Sequence, residues 1–278
     1  MQVLIAEALG FCFGVRDALE AAERTPDPGR VTIHGELVHN PVVTHRLQSK
    51  GFQQNPEAKR DELPPTPLVM ITAHGISDRE RHRLEKAGHQ LIDTTCPLVQ
   101  RVHRAAQQLA DEGRYVVIIG RPGHVEVRGI HEDLADAEIV ESVAAVRNYA
   151  QRRLGIVCQS TTPPRVAEAI VTAIREANPD ADIRFVDTIC QPTRDRQEAV
   201  VKLAPQVDAM VVVGGKNSNN TRELASLCQA QHVPAFHVES AADLNAEWFR
   251  GCRVVGLTAG TSTLDETIDE VRRQLEAL

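Results

Sequence analysis

A chain of 278 residues is long enough for a large buried core in one to three units, and 42% hydrophobic with 25% charged residues is the composition of an ordinary soluble globular protein. A formal net charge of −7, the lack of a Lys/Arg block and only 3% aromatic residues argue against a nucleic-acid groove or a base-stacking platform. No apolar run approaches the roughly 18 residues that span a bilayer, and the opening Met-Gln-Val-Leu-Ile-Ala-Glu has no basic stretch ahead of its apolar one, so a cytoplasmic protein with no membrane partner is expected.

Short apolar runs predict strands at Val3–Ala6, Val31–His34, Leu68–Ala73, Tyr115–Gly120, Leu154–Cys158, Ile183–Val186, Ala209–Gly214 and Arg253–Thr258. Several are continuous and β-branched, as in strands covered on both faces. Helical patterns lie between them, among them Leu98–Glu112, Pro164–Ala177, Arg194–Leu203 and Thr221–Gln231. This alternation predicts an α/β fold with largely parallel sheets.

An internal repeat is visible. Three runs end in polar or Gly-rich turns at 32–40, 118–126 and 212–220, and a second set ends at 72–77, 157–162 and 258–263. The expectation is three related α/β units in a pseudo-threefold trefoil: 14–96, 97–189 and 190–278, with 1–13 joining the third. Strand ends turned inward would make one central pocket.

Six cysteines in a chain this long do not suggest a disulfide scaffold. Cys12 in Gly-Phe-Cys-Phe-Gly-Val, Cys96 in Asp-Thr-Thr-Cys-Pro and Cys190 in Asp-Thr-Ile-Cys-Gln-Pro share a setting, one per third of the chain. They read as ligands of an iron–sulfur cluster, as catalytic thiols or as core residues. Three thiolates cannot close a four-iron cluster, so a cluster they held would keep one iron open to substrate. Cys158, Cys228 and Cys252 read as small buried hydrophobes.

Three histidines, His39, His74 and His124, fall in turns after strands, as donors to phosphate oxygens or as metal ligands. His82 and His103 lie in helical patterns and read as surface residues. Glu126, two residues past His124, would share one side of an extended segment with it and could deliver a proton if shielded from water, or lie solvated on the surface. The turns at Lys216–Thr221, Ser160–Thr162 and Thr261–Thr263 bring hydroxyls, amides and helix N–H groups together. They read as N-caps or as a shared site for a diphosphate-sized anion. Neither a Gly-x-Gly-x-x-Gly nor a P-loop is present, so a nucleotide is not expected.

Together, Gly-Phe-Cys-Phe-Gly-Val, Val-His-Asn (38–40), Ala-His-Gly-Ile-Ser (73–77), Thr-Cys-Pro-Leu-Val (95–99), Gly-His-Val-Glu-Val (123–127), Asp-Thr-Ile-Cys (187–190), Arg-Gln-Glu-Ala-Val (196–200), Gly-Lys-Asn-Ser (215–218) and Thr-Ala-Gly (258–260) resemble the 4-hydroxy-3-methylbut-2-enyl diphosphate reductase family of the methylerythritol phosphate route to isoprenoids. The resemblance runs the length of the chain. It implies a trefoil around one [4Fe–4S] cluster held by Cys12, Cys96 and Cys190, with Glu126 as proton donor. His39, His74 and His124 match pocket histidines, and Ser218, Asn220 and Ser262 match diphosphate-binding positions. Ser160 stands where the family usually has Thr, Asn219 where a second Ser is frequent, and Val125 and Leu264 where Pro is common.

The reaction this implies is reductive removal of the allylic hydroxyl, giving isopentenyl or dimethylallyl diphosphate, with electrons from ferredoxin or flavodoxin. A redox-neutral iron–sulfur hydro-lyase, a non-enzymatic iron–sulfur redox sensor or carrier, and a plain zinc protein are the other readings of the same residues.

Overall fold

The computed structural model describes all residues, Met1–Leu278. In chain order the elements are β1 (Gln2–Ile5), α1 (Phe13–Glu23), β2 (Val31–His34), α2 (Pro41–Ser49), β3 (Gln53–Asn55), β4 (Leu68–Ile71), α3 (Asp78–Lys86), β5 (Gln90–Asp93), α4 (Pro97–Asp111), β6 (Tyr115–Ile119) and α5 (Val125–Glu132). They continue through β7 (Ala137–Val140), β8 (Arg153–Cys158), α6 (Pro164–Ala177), β9 (Asp182–Phe185), α7 (Gln191–Leu203), β10 (Ala209–Val213), α8 (Asn219–Ala230), β11 (Ala235–Val238), β12 (Val254–Ala259) and α9 (Asp265–Ala277). No helix is long and apolar enough to cross a membrane.

The chain divides into two compact units. One comprises Met1–Arg16, His39–Val42 and Gln191–Leu278; the other comprises Asp17–Val38 and Val43–Cys190. The first holds a four-stranded sheet in the order β1-β12-β10-β11, and the second holds two, β3-β2-β4-β5 and β7-β6-β8-β9. All nine strand pairings are parallel. The sheets share one plan: two inner strands side by side, each followed by a helix and flanked by an outer strand, which follows that helix in every case but β12, whose outer neighbour β1 comes from the start of the chain.

Burial follows that plan. The inner strands β2 and β10 are buried throughout, and β4, β6, β8 and β12 are buried beyond their first residue. Val, Ile and Leu dominate them because helices cover both sheet faces, so side chains on either side of the pleat leave water. Outer strands such as β1, β5 and β9 carry exposed polar residues at alternate or terminal positions. All six inner strands were predicted from the sequence. Of the six outer ones β3, β5, β7 and β11 were not, because they are three or four residues long and include Gln, Asn, Glu or His.

Glycine at the third position of β8 admits close packing by a helix. A Cβ on Gly155 would lie 2.9 Å from Cβ of Leu109, a buried α4 residue in the apolar layer over this sheet. The Leu109 Cβ is fixed to the helix backbone and cannot swing aside. Gly155→Ala is therefore expected to overpack this layer and lower unfolding stability by about 1–3 kcal/mol, read by denaturant titration; an unchanged midpoint would refute the packing argument.

Candidate active site

In an open parallel sheet, ligands bind beyond the carboxyl ends of the strands, at the point where the strand order reverses. That point lies between β2 and β4, between β6 and β8, and between β10 and β12. Every residue predicted to touch substrate follows one of these six strands. His39 follows β2, His74 follows β4, His124 and Glu126 follow β6, and Ser160 follows β8. Ser218, Asn219 and Asn220 follow β10, and Ser262 follows β12.

Beyond β6 and β8, Glu126 is 1% exposed, so the surface reading fails. Its Oε1 accepts from the Ser160 backbone N–H at 2.6 Å, and its Oε2 lies 3.0 Å from the Ser160 hydroxyl. A hydroxyl so placed can donate to the carboxylate or accept from the carboxylic acid, so it links Glu126 to whatever lies on its far side.

The expected extended geometry at 124–126 is not observed. Helix α5 begins at Val125, His124 is its N-cap, and Glu126 is already helical. The cap brings the two together instead: the Glu126 N–H donates to His124 Nδ1 at 3.2 Å. Because a backbone N–H can only donate, Nδ1 must accept, and the neutral ring then carries its proton on Nε2. The His74 and His124 rings meet edge to face, 5.7 Å between centroids. His82 is exposed as expected, whereas His103 is a partly buried neighbour of Asp133 at 3.9 Å; burial, only partly opposed by Asp133, pulls its pKa down.

The polar turns divide by role. At α8 the Ser218 hydroxyl caps the helix, accepting from Thr221 N–H at 3.3 Å. At α6 and α9 the N-cap positions are Pro163 and Leu264, and neither helix has a side-chain cap. Ser160 bonds Glu126 instead, Ser262 donates to the His39 carbonyl at 3.2 Å, and Thr263 donates to the Val213 carbonyl at 2.9 Å. Asn40, which was not singled out in advance, donates to the Ser262 carbonyl at 2.6 Å and accepts from Val42 N–H at 2.9 Å. It thereby ties the His39 segment to the turn after β12. Its signal in the sequence was the Asn-Pro pair that opens α2.

Asn220 is 2% exposed, and neither Oδ1 nor Nδ2 has a hydrogen-bond partner. The hydroxyl of Thr221, wholly buried, has none either; a Cβ on Gly260 would lie 2.0 Å from it, so glycine is required beside it. Unsatisfied buried polar groups cost about 1–3 kcal/mol each and mark a site that a ligand completes.

The three shared-setting cysteines each follow an outer strand and precede a helix. Each N–H donates to the carbonyl two residues past the adjacent inner strand: Cys12 to Thr261 at 3.1 Å, Cys96 to Ala73 at 3.0 Å and Cys190 to Ser160 at 2.9 Å. The Asp-Thr-x-Cys motif explains the last two. Asp93 and Asp187 accept from the N–H two residues on, at 2.9 and 3.1 Å. Thr94 and Thr188 donate to the final carbonyls of β4 and β8, at 2.5 and 2.6 Å. Before Cys12, Gly10 N–H reaches the last carbonyl of β12 at 3.4 Å, and the buried Arg196 donates to the Gly10 carbonyl at 2.5 Å.

The other cysteines behave as hydrophobes. Cys158 and Cys228 are wholly buried in apolar clusters, burial pushes the Cys228 thiol up to about 12, and Cys252 packs beside the β12 core. No disulfide joins any of the six. No three His, Cys, Asp or Glu side chains are gathered as a ready metal cage.

The family model described as LytB protein matches residues 3–276. A protein of Aquifex aeolicus named 4-hydroxy-3-methylbut-2-enyl diphosphate reductase is 37% identical, covering all of this chain and 97% of its own. A protein of Methylibium petroleiphilum with the same name is 38% identical over 99% of this chain and 85% of its own. Among solved structures, the E-1-hydroxy-2-methyl-but-2-enyl-4-diphosphate reductase of Plasmodium falciparum superposes with a TM-score of 0.90 at 28% identity, covering 99% of this chain and 87% of its own. A structure of (E)-4-hydroxy-3-methyl-but-2-enyl diphosphate reductase, titled the terminal enzyme of the non-mevalonate pathway, gives a TM-score of 0.69 at 36% identity, with both chains fully covered.

The unpartnered amide of Asn220 yields a prediction with two readouts. Asn220→Ala removes two unsatisfied polar atoms and adds a better helix former in the first turn of α8, so stability should hold or rise by up to about 1 kcal/mol. Affinity for a short-chain diphosphate, measured by calorimetry, should fall roughly tenfold or more. A destabilised variant with unchanged affinity would show that Asn220 serves the fold alone.

Proposed function

The chain belongs to the LytB protein family, and from that premise we propose that it is an oxidoreductase acting on 4-hydroxy-3-methylbut-2-enyl diphosphate. The products are isopentenyl and dimethylallyl diphosphate, the outputs of the methylerythritol phosphate route. In the balanced reaction the allylic C–O bond breaks, two electrons and two protons are consumed, and the hydroxyl leaves as water. The observation that carries this reading is the buried Glu126, bonded through both carboxylate oxygens to Ser160 beyond the β6–β8 switch point.

Glu126 is the proton donor in this reading. The Ser160 hydroxyl, 3.0 Å from Oε2, relays the proton toward the departing oxygen and replaces one proton-carrying oxygen with another where the family has Thr. His124 is held by the Glu126 N–H in the tautomer that offers Nε2–H as a donor. With His39, His74, Ser218, Asn219, Asn220 and Ser262 it makes up the donor set for the diphosphate, supported by the unpartnered Asn220 amide and by the α8 N-terminus, where negative charge is favoured.

Cys12, Cys96 and Cys190 are assigned to hold one [4Fe–4S] cluster. The donor chemistry fits: three thiols share one hydrogen-bonded setting at helix starts, while the remaining three are spent in or beside apolar cores. When bound, such a cluster supplies the two electrons and an open iron for the hydroxyl. The electron donor is ferredoxin or flavodoxin, and the compartment is the cytoplasm. Residues 14–96, 97–189 and 190–278 with 1–13 are then three copies of one α/β unit, with Cys96 closing the first, Cys190 opening the third and Cys12 in the N-terminal segment that joins it.

Two variants and one assay test the reading. Cluster-reconstituted wild type should oxidise a reduced viologen dye anaerobically, only with substrate present, and release C5 diphosphates; protein of verified iron and sulfide content that does not would overturn the assignment. Glu126→Gln should keep iron, sulfide and substrate affinity yet lose roughly 10²–10⁴ in turnover, so ordinary turnover removes Glu126 from its role. Cys96→Ser should reconstitute with less iron and sulfide than wild type, and undiminished content refutes ligation.

A further inference from the structure

We propose that Arg60, paired with Glu57, is a positioning residue that fixes the turn carrying His74; this rests on reading His74 as a substrate contact. Arg60 lies between β3 and β4, outside every motif the sequence singles out, and its side chain is 4% exposed. Its Nη2 donates to the Gly75 carbonyl at 3.2 Å, the first carbonyl after His74. Gly75 adopts φ +73°, and its own N–H closes the turn on the Thr72 carbonyl at 3.0 Å. A left-handed residue aims its carbonyl away from the sheet, where no strand neighbour can satisfy it, and Arg60 takes that place.

Glu57 extends the device to the other inner strand. Its Oε2 lies 3.4 Å from Arg60 Nη1. Its Oε1 is buried against Gly35, the residue after β2, so closely that a Cβ there would lie 2.2 Å from it. The ion pair therefore bonds the segment leaving β4 and packs, without a hydrogen bond, against the segment leaving β2.

The base of Arg60 is held separately. Its carbonyl accepts from Arg83 Nη2 at 3.0 Å, and the Asp61 carbonyl accepts from Arg83 Nη1 at 3.2 Å. Arg83 grips Glu80 with two bonds of 2.7 Å, and Glu80 accepts from Nε2 of His34, wholly buried in β2, at 2.9 Å. Burying a guanidinium is costly unless its position is used. Anchored from behind, bonded to the segment after β4 and paired with a carboxylate packed on the segment after β2, Arg60 has the arrangement of a strut.

The test compares Arg60→Ala, Arg60→Lys, His74→Asn and the double variant Arg60→Ala/His74→Asn in the cluster-loaded enzyme. Arg60→Ala should raise KM for the allylic diphosphate roughly tenfold and leave kcat within about twofold. Arg60→Lys keeps the charge but not the two-armed reach and should recover only part of that loss. In the His74→Asn background the Arg60→Ala change should add less than about twofold, because residues acting through one another are not additive. Amide exchange at Gly75 should quicken at least tenfold in Arg60→Ala, or in Arg60→Lys if the alanine variant does not fold.

Normal KM and normal Gly75 exchange in a folded Arg60 variant, or full additivity with His74→Asn, overturns the strut. A His74→Asn variant with unchanged KM overturns the reading of His74 and the strut's functional role with it. A wild type without turnover overturns the proposed reaction alone, because the exchange measurement still decides whether Arg60 holds the turn.

Discussion

Two parallel strands set side by side and buried but for a first residue, with the chain leaving them in opposite directions, are the constraint on which the molecule depends. Their backbone groups are satisfied by each other and by the outer strands, and helices cover both faces. At the carboxyl ends this bonding stops. The polar groups there must find side chains, turns or a ligand, and the departing chains leave a crevice between them. That geometry occurs in each sheet, and the residues proposed to bind and protonate substrate occupy the segments that follow the inner strands. The cysteines follow the outer strands, one step to the side, and are bonded back to the same crevice segments.

Buried polarity in these segments is handled in two ways. Around the cysteines the carbonyls that end the ladder are satisfied: Thr94 and Thr188 extend it with hydroxyls where no further strand residue is available, and Arg196 bonds the Gly10 carbonyl beside Cys12. Around Asn220 and Thr221 it is left open, with buried amide and hydroxyl atoms unpartnered. A self-satisfied network makes a rigid frame, and an unsatisfied one costs stability that a bound anion can return. This division is the one the proposed roles require: a fixed frame for ligating thiols and an open site for an exchangeable diphosphate.

Inner strands were legible in the sequence because burial on both faces forces an unbroken apolar run, and a run such as Ala209–Val213 admits few other structures. Outer strands were not, because Gln53–Asn55 and Gln90–Asp93 owe their conformation to pairing that their own residues do not announce. Glu126 was singled out on strand alternation, whereas in the structure a helix cap bonds its backbone N–H to the His124 ring and its carboxylate bonds Ser160. Arg60 could not be found by local pattern, because its partners Gly75 and Glu57 are joined to it by tertiary contact and by a short 3₁₀ turn. A buried arginine in a polar loop has the same sequence signature as a solvated one.

The departures from the family pattern fall where conformation matters more than chemistry. Leu264 is the N-cap of α9 with φ −64°. That is the angle a proline ring would impose, so a backbone preference has been exchanged for a side chain that is 6% exposed and packs into the interior. Val125 occupies the first position of α5, the helical site proline favours because its missing N–H would be unsatisfied there in any case. It is 5% exposed, so apolar burial again replaces ring rigidity. Both substitutions raise the conformational freedom of the unfolded chain and leave the helix starts in place, so their cost falls on stability. Ser160 differs in kind, because its hydroxyl touches Glu126 directly. Without the γ-methyl that restricts the χ1 rotamers of Thr, it can rotate more freely, and its orientation rests on the 3.0 Å bond to Oε2. Of the four departures, this one bears on the geometry of the proposed proton delivery.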